Sequence, residues 1–259
     1  MTRMPSASDL GVTHQSAVDA WECDQMNHLN VRFFGSRFSE AEAYALTLSD
    51  LPPQRCADET LHFMREVRCG AALRIESSRQ GAAQFLHHLY DGGAERPSAT
   101  LETRYESYGK SEPCFDGDGW IRTGLRHLGK HCYTEAGELS REVLLGLVNQ
   151  AAVHLGLDRH RLRDDAGTLL IGSAVVACRI RRFSISSPGE VLIIQSRIAG
   201  CGRTSLRLQH QFAGSASPAV LAEIEVTSVF FDMKTRRPCP VPETLRHTLS
   251  SDTVLQPSP

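Results

Sequence analysis

The chain has 259 residues, enough to bury one large core or two of average size, so length alone does not fix the number of domains. Its 28 Lys plus Arg against 30 Asp plus Glu leave no net field of the kind that binds nucleic acid or an anionic membrane. There is no apolar run of about 18 residues, and "MTRMPSASDLGVTHQ" lacks the apolar centre of a signal peptide, so a soluble cytoplasmic protein is expected. Its eight cysteines stand singly, without a CxxC pair or Cys/His cluster, and are read as free thiols with no metal site.

In chain order, "SAVDAWEC" reads as a strand. From Asn27 to Leu48 the residues Phe34, Phe38, Ala41, Ala45 and Leu48 fall on one face of a long helix. Four strand candidates follow, "LHFMREVRC", "AALRIESSRQ", "AQFLHHLYDG" and "SATLETRYES", divided by Gly, Pro and small polar residues. A Gly/Pro/Ser/Asp-rich connector at 111–125 leads to the same order again: a strand at "HLGKHCYT", a helix at "LSREVLLGLVNQAAVHLGL", and four more strand candidates. The Pro- and Ser-rich tail at 238–259 is read as wrapping the surface or as partly mobile.

This recurrence predicts two copies of one α+β unit, at 1–110 and 126–237. Placing Asp24 on Glu135, an offset of 111, carries Phe33-Phe34-Gly35 onto Leu144-Leu145-Gly146. Further on, "GAALRIES" meets "GEVLIIQS" at an offset of 119, and Ala99 to Glu102 meets Ala222 to Glu225.

The stretch "WECDQMNHLN", Trp21 to Asn30, crowds carboxylates, a thiol, carboxamides and an imidazole in front of the first helix. With the helix and strands after it, it resembles the 4-hydroxybenzoyl-CoA-thioesterase-like group of the hotdog fold, whose pattern here is roughly D-x-x-G-H-V-N-N-x-x-Y. Asp24, His28 and Asn30 match, while Asn27 replaces the Gly, Val31 the second Asn and Phe34 the Tyr. The resemblance implies a double hotdog, each half a long helix wrapped by a curved antiparallel sheet. It also implies hydrolysis of an acyl-CoA or carrier-protein thioester, with no cofactor beyond the coenzyme A of the substrate.

Thioester hydrolysis needs a nucleophile or base at the carbonyl carbon and donors for the oxyanion. The resemblance gives Asp24 the first task, with His28 and Asn30 as helpers. Backbone amides near Asn27 and His28, read as the start of the helix, are candidates for the second. Asn27 and Glu135 are the substrate-binding candidates, Glu135 as the acid kept by a second copy that has otherwise lost the motif.

Other readings stand beside this one. Asp24 is also a good N-cap residue. Degeneration of the second motif fits a non-catalytic acyl-thioester-binding or scaffold protein. A hotdog hydratase or dehydratase would call for D-x-N-P-x-H, whose Pro and spacing "DQMNH" lacks. Cys23 and Glu22 are set aside, as are the adjacent His87 and His88, which on a strand point to opposite faces. The partner is thus an acyl thioester, with neither nucleic acid nor membrane, and pairing of two such chains is left open.

Overall fold

The computed structural model describes residues 10–49, 55–106, 119–157, 167, 169–185, 188–215 and 219–250. The chain divides into two compact units: 1–110 with 139–146, and 111–138 with 147–259. Among the described residues no helix is long and apolar enough to cross a membrane.

Unit 1 contains β1 (Gly11–Ala17), α1 (Val31–Thr47), β2 (Arg55–Phe63), β3 (Ala72–Gly81), β4 (Gln84–Asp91) and β5 (Ala99–Glu106). Its strands lie antiparallel in the order β1-β3-β4-β5-β2. Phe34, Phe38, Ala41 and Ala45 are buried on α1, while Leu61, Leu73, Ile75, Phe85, Leu89 and Leu101 are buried on the strands. Removing one such ring, as in Phe38→Ala, would cost about 3–5 kcal/mol. The opening turns of α2 (Arg141–His154) also belong to this unit, and α1 meets them at Gly35, where an added Cβ would lie 2.9 Å from Leu145 Cδ1.

Unit 2 repeats the plan with β6 (Ile121–His127), the rest of α2, β7 (Ile171–Arg182), β8 (Val191–Cys201), β9 (Ser205–Gly214) and β10 (Val220–Asp232). Its antiparallel order, β6-β8-β9-β10-β7, is that of unit 1 strand for strand.

Each sheet also carries the same buried polar row. In unit 1, Thr13 Oγ1 lies 2.6 Å from Ser77 Oγ, which lies 2.6 Å from His87 Nδ1. In unit 2, Thr123, Ser196 and His210 repeat it at 2.6 and 2.7 Å. Burial pushes the imidazoles down to about 4 for His87, where Glu42 partly opposes the shift, and to about 3 for His210.

Unit 1 also holds a buried ion-paired cluster: Arg141 donates to Glu59, and to Glu42 at 2.9 Å. Burial is the largest single influence and by itself would raise the Glu42 carboxyl, but the Arg141 and His87 charges together with hydrogen bonds from Tyr105 and Arg141 hold the group below its ordinary value.

Several boundaries differ from the sequence expectation. The first strand ends at Ala17, and "AWE" within "SAVDAWEC" is a 3-10 turn. The helix expected from Asn27 begins at Val31, because Asn30 is its N-cap and Asn27 has φ of 62°, in the left-handed region. In unit 2 the strand runs before "HLGKHCYT", taking in the end of the expected connector; residues 111–118 lie outside those described. Part of the expected tail forms α3 (Glu243–Ser250), whose Leu245 and preceding Val241 are buried.

Candidate functional site

The motif loop of unit 1 is fastened from both ends. Glu22 is buried: its carboxylate accepts from Arg37 on α1 at 2.6 Å and from the Asp19 amide at 2.9 Å, and its carbonyl accepts from Asn30 N–H at 3.0 Å. Leu29 N–H donates to Val67 and Cys69 N–H to Asn27, tying the loop to the connection between β2 and β3. Trp21 packs edge-on against Phe33 at 5.1 Å, yet is 70% exposed. Glu22, set aside on the sequence, and Arg37 thus position the loop; the i, i+15 spacing of the pair gave no signal.

Asp24 sits on this frame, exposed to solvent. Its Oδ1 accepts from the amides of Met26 at 2.8 Å and His28 at 3.1 Å, and its carbonyl accepts from Asn27 N–H at 3.0 Å. Among the described residues Oδ2 has no hydrogen-bond partner. One oxygen is therefore fixed by the turn while the other is open to solvent.

The amides of Asn27 and His28, expected at a helix start and open to an oxyanion, instead precede the helix and are spent on Asp24. At the true start of α1, Asn30 Oδ1 accepts from Arg32 N–H at 3.0 Å, and the Asn30 carbonyl accepts from Phe33 N–H at 2.9 Å. The Val31 amide has no acceptor among the described residues. His28 Nε2 lies 3.5 Å from Glu66 Oε2, with its side chain 16% exposed. Asp24, His28 and Asn30 thus share one loop, Asn30 as the cap and Asp24 with a free oxygen.

Comparing the two loops corrects the sequence register. The 3-10 turns begin at Ala20 and Lys130, the helices at Val31 and Arg141, and the left-handed residues are Asn27 and Gly137, all at an offset of 110 rather than 111. Thr134 therefore holds the place of Asp24: its Oγ1 accepts from Glu138 N–H at 3.2 Å and its carbonyl from Gly137 N–H at 3.0 Å. Ser140 replaces Asn30 as cap, accepting from Val143 N–H at 3.3 Å. Glu135 corresponds to Gln25, so the second copy does not keep the motif acid. The strand offset of 119 stands, since it carries Ser77 onto Ser196 in the two polar rows.

The second loop separates two functions of Asp24. A hydroxyl suffices for capping the turn, so the second carboxylate oxygen is what Asp24 has beyond that task. Among the described residues no group of three or more His, Cys, Asp or Glu is placed to hold a metal ion.

Residues 124–249 match the family model of the thioesterase-like superfamily. No curated protein matches the sequence. Among solved structures the chain is similar to a protein assigned as an oleoyl thioesterase from Lactobacillus plantarum, at 11% identity over 86% of this chain and 97% of that one, with a TM-score of 0.61. It is similar to an acyl-ACP thioesterase from Bacteroides thetaiotaomicron at 7% identity over 84% and 96%, TM-score 0.59. It is also similar to a hot dog fold protein of unknown function from Alicyclobacillus acidocaldarius at 9% identity over 84% and 92%, TM-score 0.51. At these identities the likeness is one of fold, an antiparallel sheet with a helix, of the hotdog kind.

Proposed function

We propose that the chain is a double hotdog that hydrolyses an acyl-CoA or carrier-protein acyl thioester at the Asp24 loop of unit 1, a reading supported by the match of residues 124–249 to the thioesterase-like superfamily model. The observation that carries this is the divided carboxylate: Oδ1 anchored by the Met26 and His28 amides, and Oδ2 without a partner among the described residues. Exposed Trp21 and Met26 flank it in the loop and offer apolar surface to an acyl thioester.

In this reading Asp24 Oδ2 either attacks the carbonyl carbon, expelling the thiolate and leaving an anhydride for water to cleave, or removes a proton from water that attacks directly. The Val31 amide, at the positive end of α1, replaces those of Asn27 and His28 as the oxyanion donor. His28, beside Glu66, orients the attacking water, and Asn30 acts by holding the helix start. Asn27 keeps the turn in its left-handed form and presents its carboxamide to the substrate.

Release of free thiol from a panel of short, branched, aromatic and long acyl-CoAs, and from acyl carrier protein, tests the reading. Turnover of any member supports it. Binding without turnover would favour the scaffold role, and addition of water to an enoyl thioester would favour a hydratase.

A further inference from the structure

On β9, Leu206, Leu208 and His210 are buried, and the alternating residues Arg207 and Gln209 emerge on the other face of the unit 2 sheet. There Arg197, Ile198, Ala199, Arg207, Gln209 and Glu225 line an open cavity of about 530 Å³. None of them belongs to the Asp24 loop.

The cavity is built around an irregularity. The pairing of β8 with β9 shifts between Ile198 and Gly200, leaving Ala199 as an extra residue, and Gly200 faces Arg207. A Cβ at Gly200 would lie 3.3 Å from Arg207 Nη2, so the absent side chain leaves room for the guanidinium across the strand. Arg197 is held by neutral groups: its Nε donates to Gln209 Oε1 at 2.9 Å, and its guanidinium carbon lies 4.6 Å from the Trp120 ring centroid. Gln209 is fixed in turn, its Nε2 donating to Glu225 Oε2 at 3.2 Å.

Among the described residues neither Arg197 nor Arg207 forms an ion pair, whereas Arg181 on the same sheet pairs with Glu223 at 2.6 Å. The lining thus presents two guanidinium forks without an ion pair on adjacent strands, together with the Glu225 carboxylate.

We propose that this cavity binds a phosphate-bearing small molecule. Two forks on neighbouring strands engage different oxygens of one tetrahedral dianion, and the prior fixing of Arg197 by Trp120 and Gln209 lowers the ordering cost of binding. Glu225 accepts from a hydroxyl of the ligand, such as a ribose O–H or a protonated phosphate oxygen. The phosphate has two sources, a free phosphorylated compound or the nucleotide end of coenzyme A.

The test titrates the full chain at low salt with inorganic phosphate and with adenosine 3′,5′-bisphosphate, by calorimetry, in the parent, Arg197→Gln and Arg207→Gln. Saturable binding is expected, weakened about tenfold or more in each variant, as befits loss of a charge-assisted hydrogen bond. Equal affinity for the two probes would assign the site to a free phosphate group, and preference for the bisphosphate to a coenzyme A nucleotide. Absence of saturable binding of both probes to the parent, or undiminished affinity in both folded variants, overturns the proposal.

Discussion

Replacing His210 by Asn should flatten the acid side of the stability profile. The imidazole is fully buried, its Nδ1 lies 2.7 Å from Ser196 Oγ, and burial lowers its pKa from 6.5 to about 3. The unfolded chain therefore binds this proton more readily than the native one throughout that interval. Stability is fully present above pH 6.5 and is lost as pH falls toward 3, with a slope near 1.4 kcal/mol per pH unit for the one site. At pH 5 the loss is about 2 kcal/mol, and His87, titrating toward about 4, adds about 2 kcal/mol more. Asn keeps a polar group near Ser196 but binds no proton. Urea unfolding at pH 7.5 and pH 5 should then show a drop in the variant smaller by about 2 kcal/mol than in the parent, whatever the packing cost at neutral pH. An equal drop in both would refute the assignment of a neutral, buried His210.

Two further substitutions test the frame around the site. Asn27→Gly should raise stability by a few tenths to about 1 kcal/mol, because Gly adopts the left-handed φ of 62° without strain, as Gly137 does in the second loop. A lower urea midpoint would mean that the Asn27 side chain makes a contact worth more than the relief. Arg141→Met should cost about 3–5 kcal/mol by leaving Glu42 and Glu59 buried without their cation. Adding Glu42→Gln and Glu59→Gln should return more than half of that in the same urea experiment, whereas no recovery would show that packing rather than charge sets the cost.

The apolar face of α1 was legible because helical periodicity is strong there, and so were most strands, bounded by glycines. Its starting point was not, since Asn27 at positive φ interrupts a stretch whose spacing continues the helical pattern. The repeat was visible, but its register in the loops was displaced by one residue. Matching acids and matching glycines drew Asp24 onto Glu135 and Gly35 onto Gly146. The loop geometry instead equates Asp24 with Thr134, a pairing of capping function between different residue types. The Thr-Ser-His rows escaped because buried polar residues in a strand look like solvent-facing ones until their partners on other strands are known. Of the candidate site, Asp24, His28 and Asn30 are named by the motif, but the division of the Asp24 carboxylate depends on the fold of the turn, and the roles of Glu22 and Arg37 on a bond between residues 15 apart in sequence.

The measurement that bears most directly on the role of Asp24 is thiol release by Asp24→Asn beside the parent, on whichever acyl thioester the parent turns over. Asn keeps an oxygen that can accept from Met26 and His28, as Thr134 accepts from Glu138 in the second loop, so the urea midpoint should stay within about 1 kcal/mol of the parent. A fall in kcat of about 100-fold or more with little change in KM is expected, the pattern of a group acting in the transition state. A variant that folds and turns over at the parental rate would contradict it and leave Asp24 as a turn cap alone.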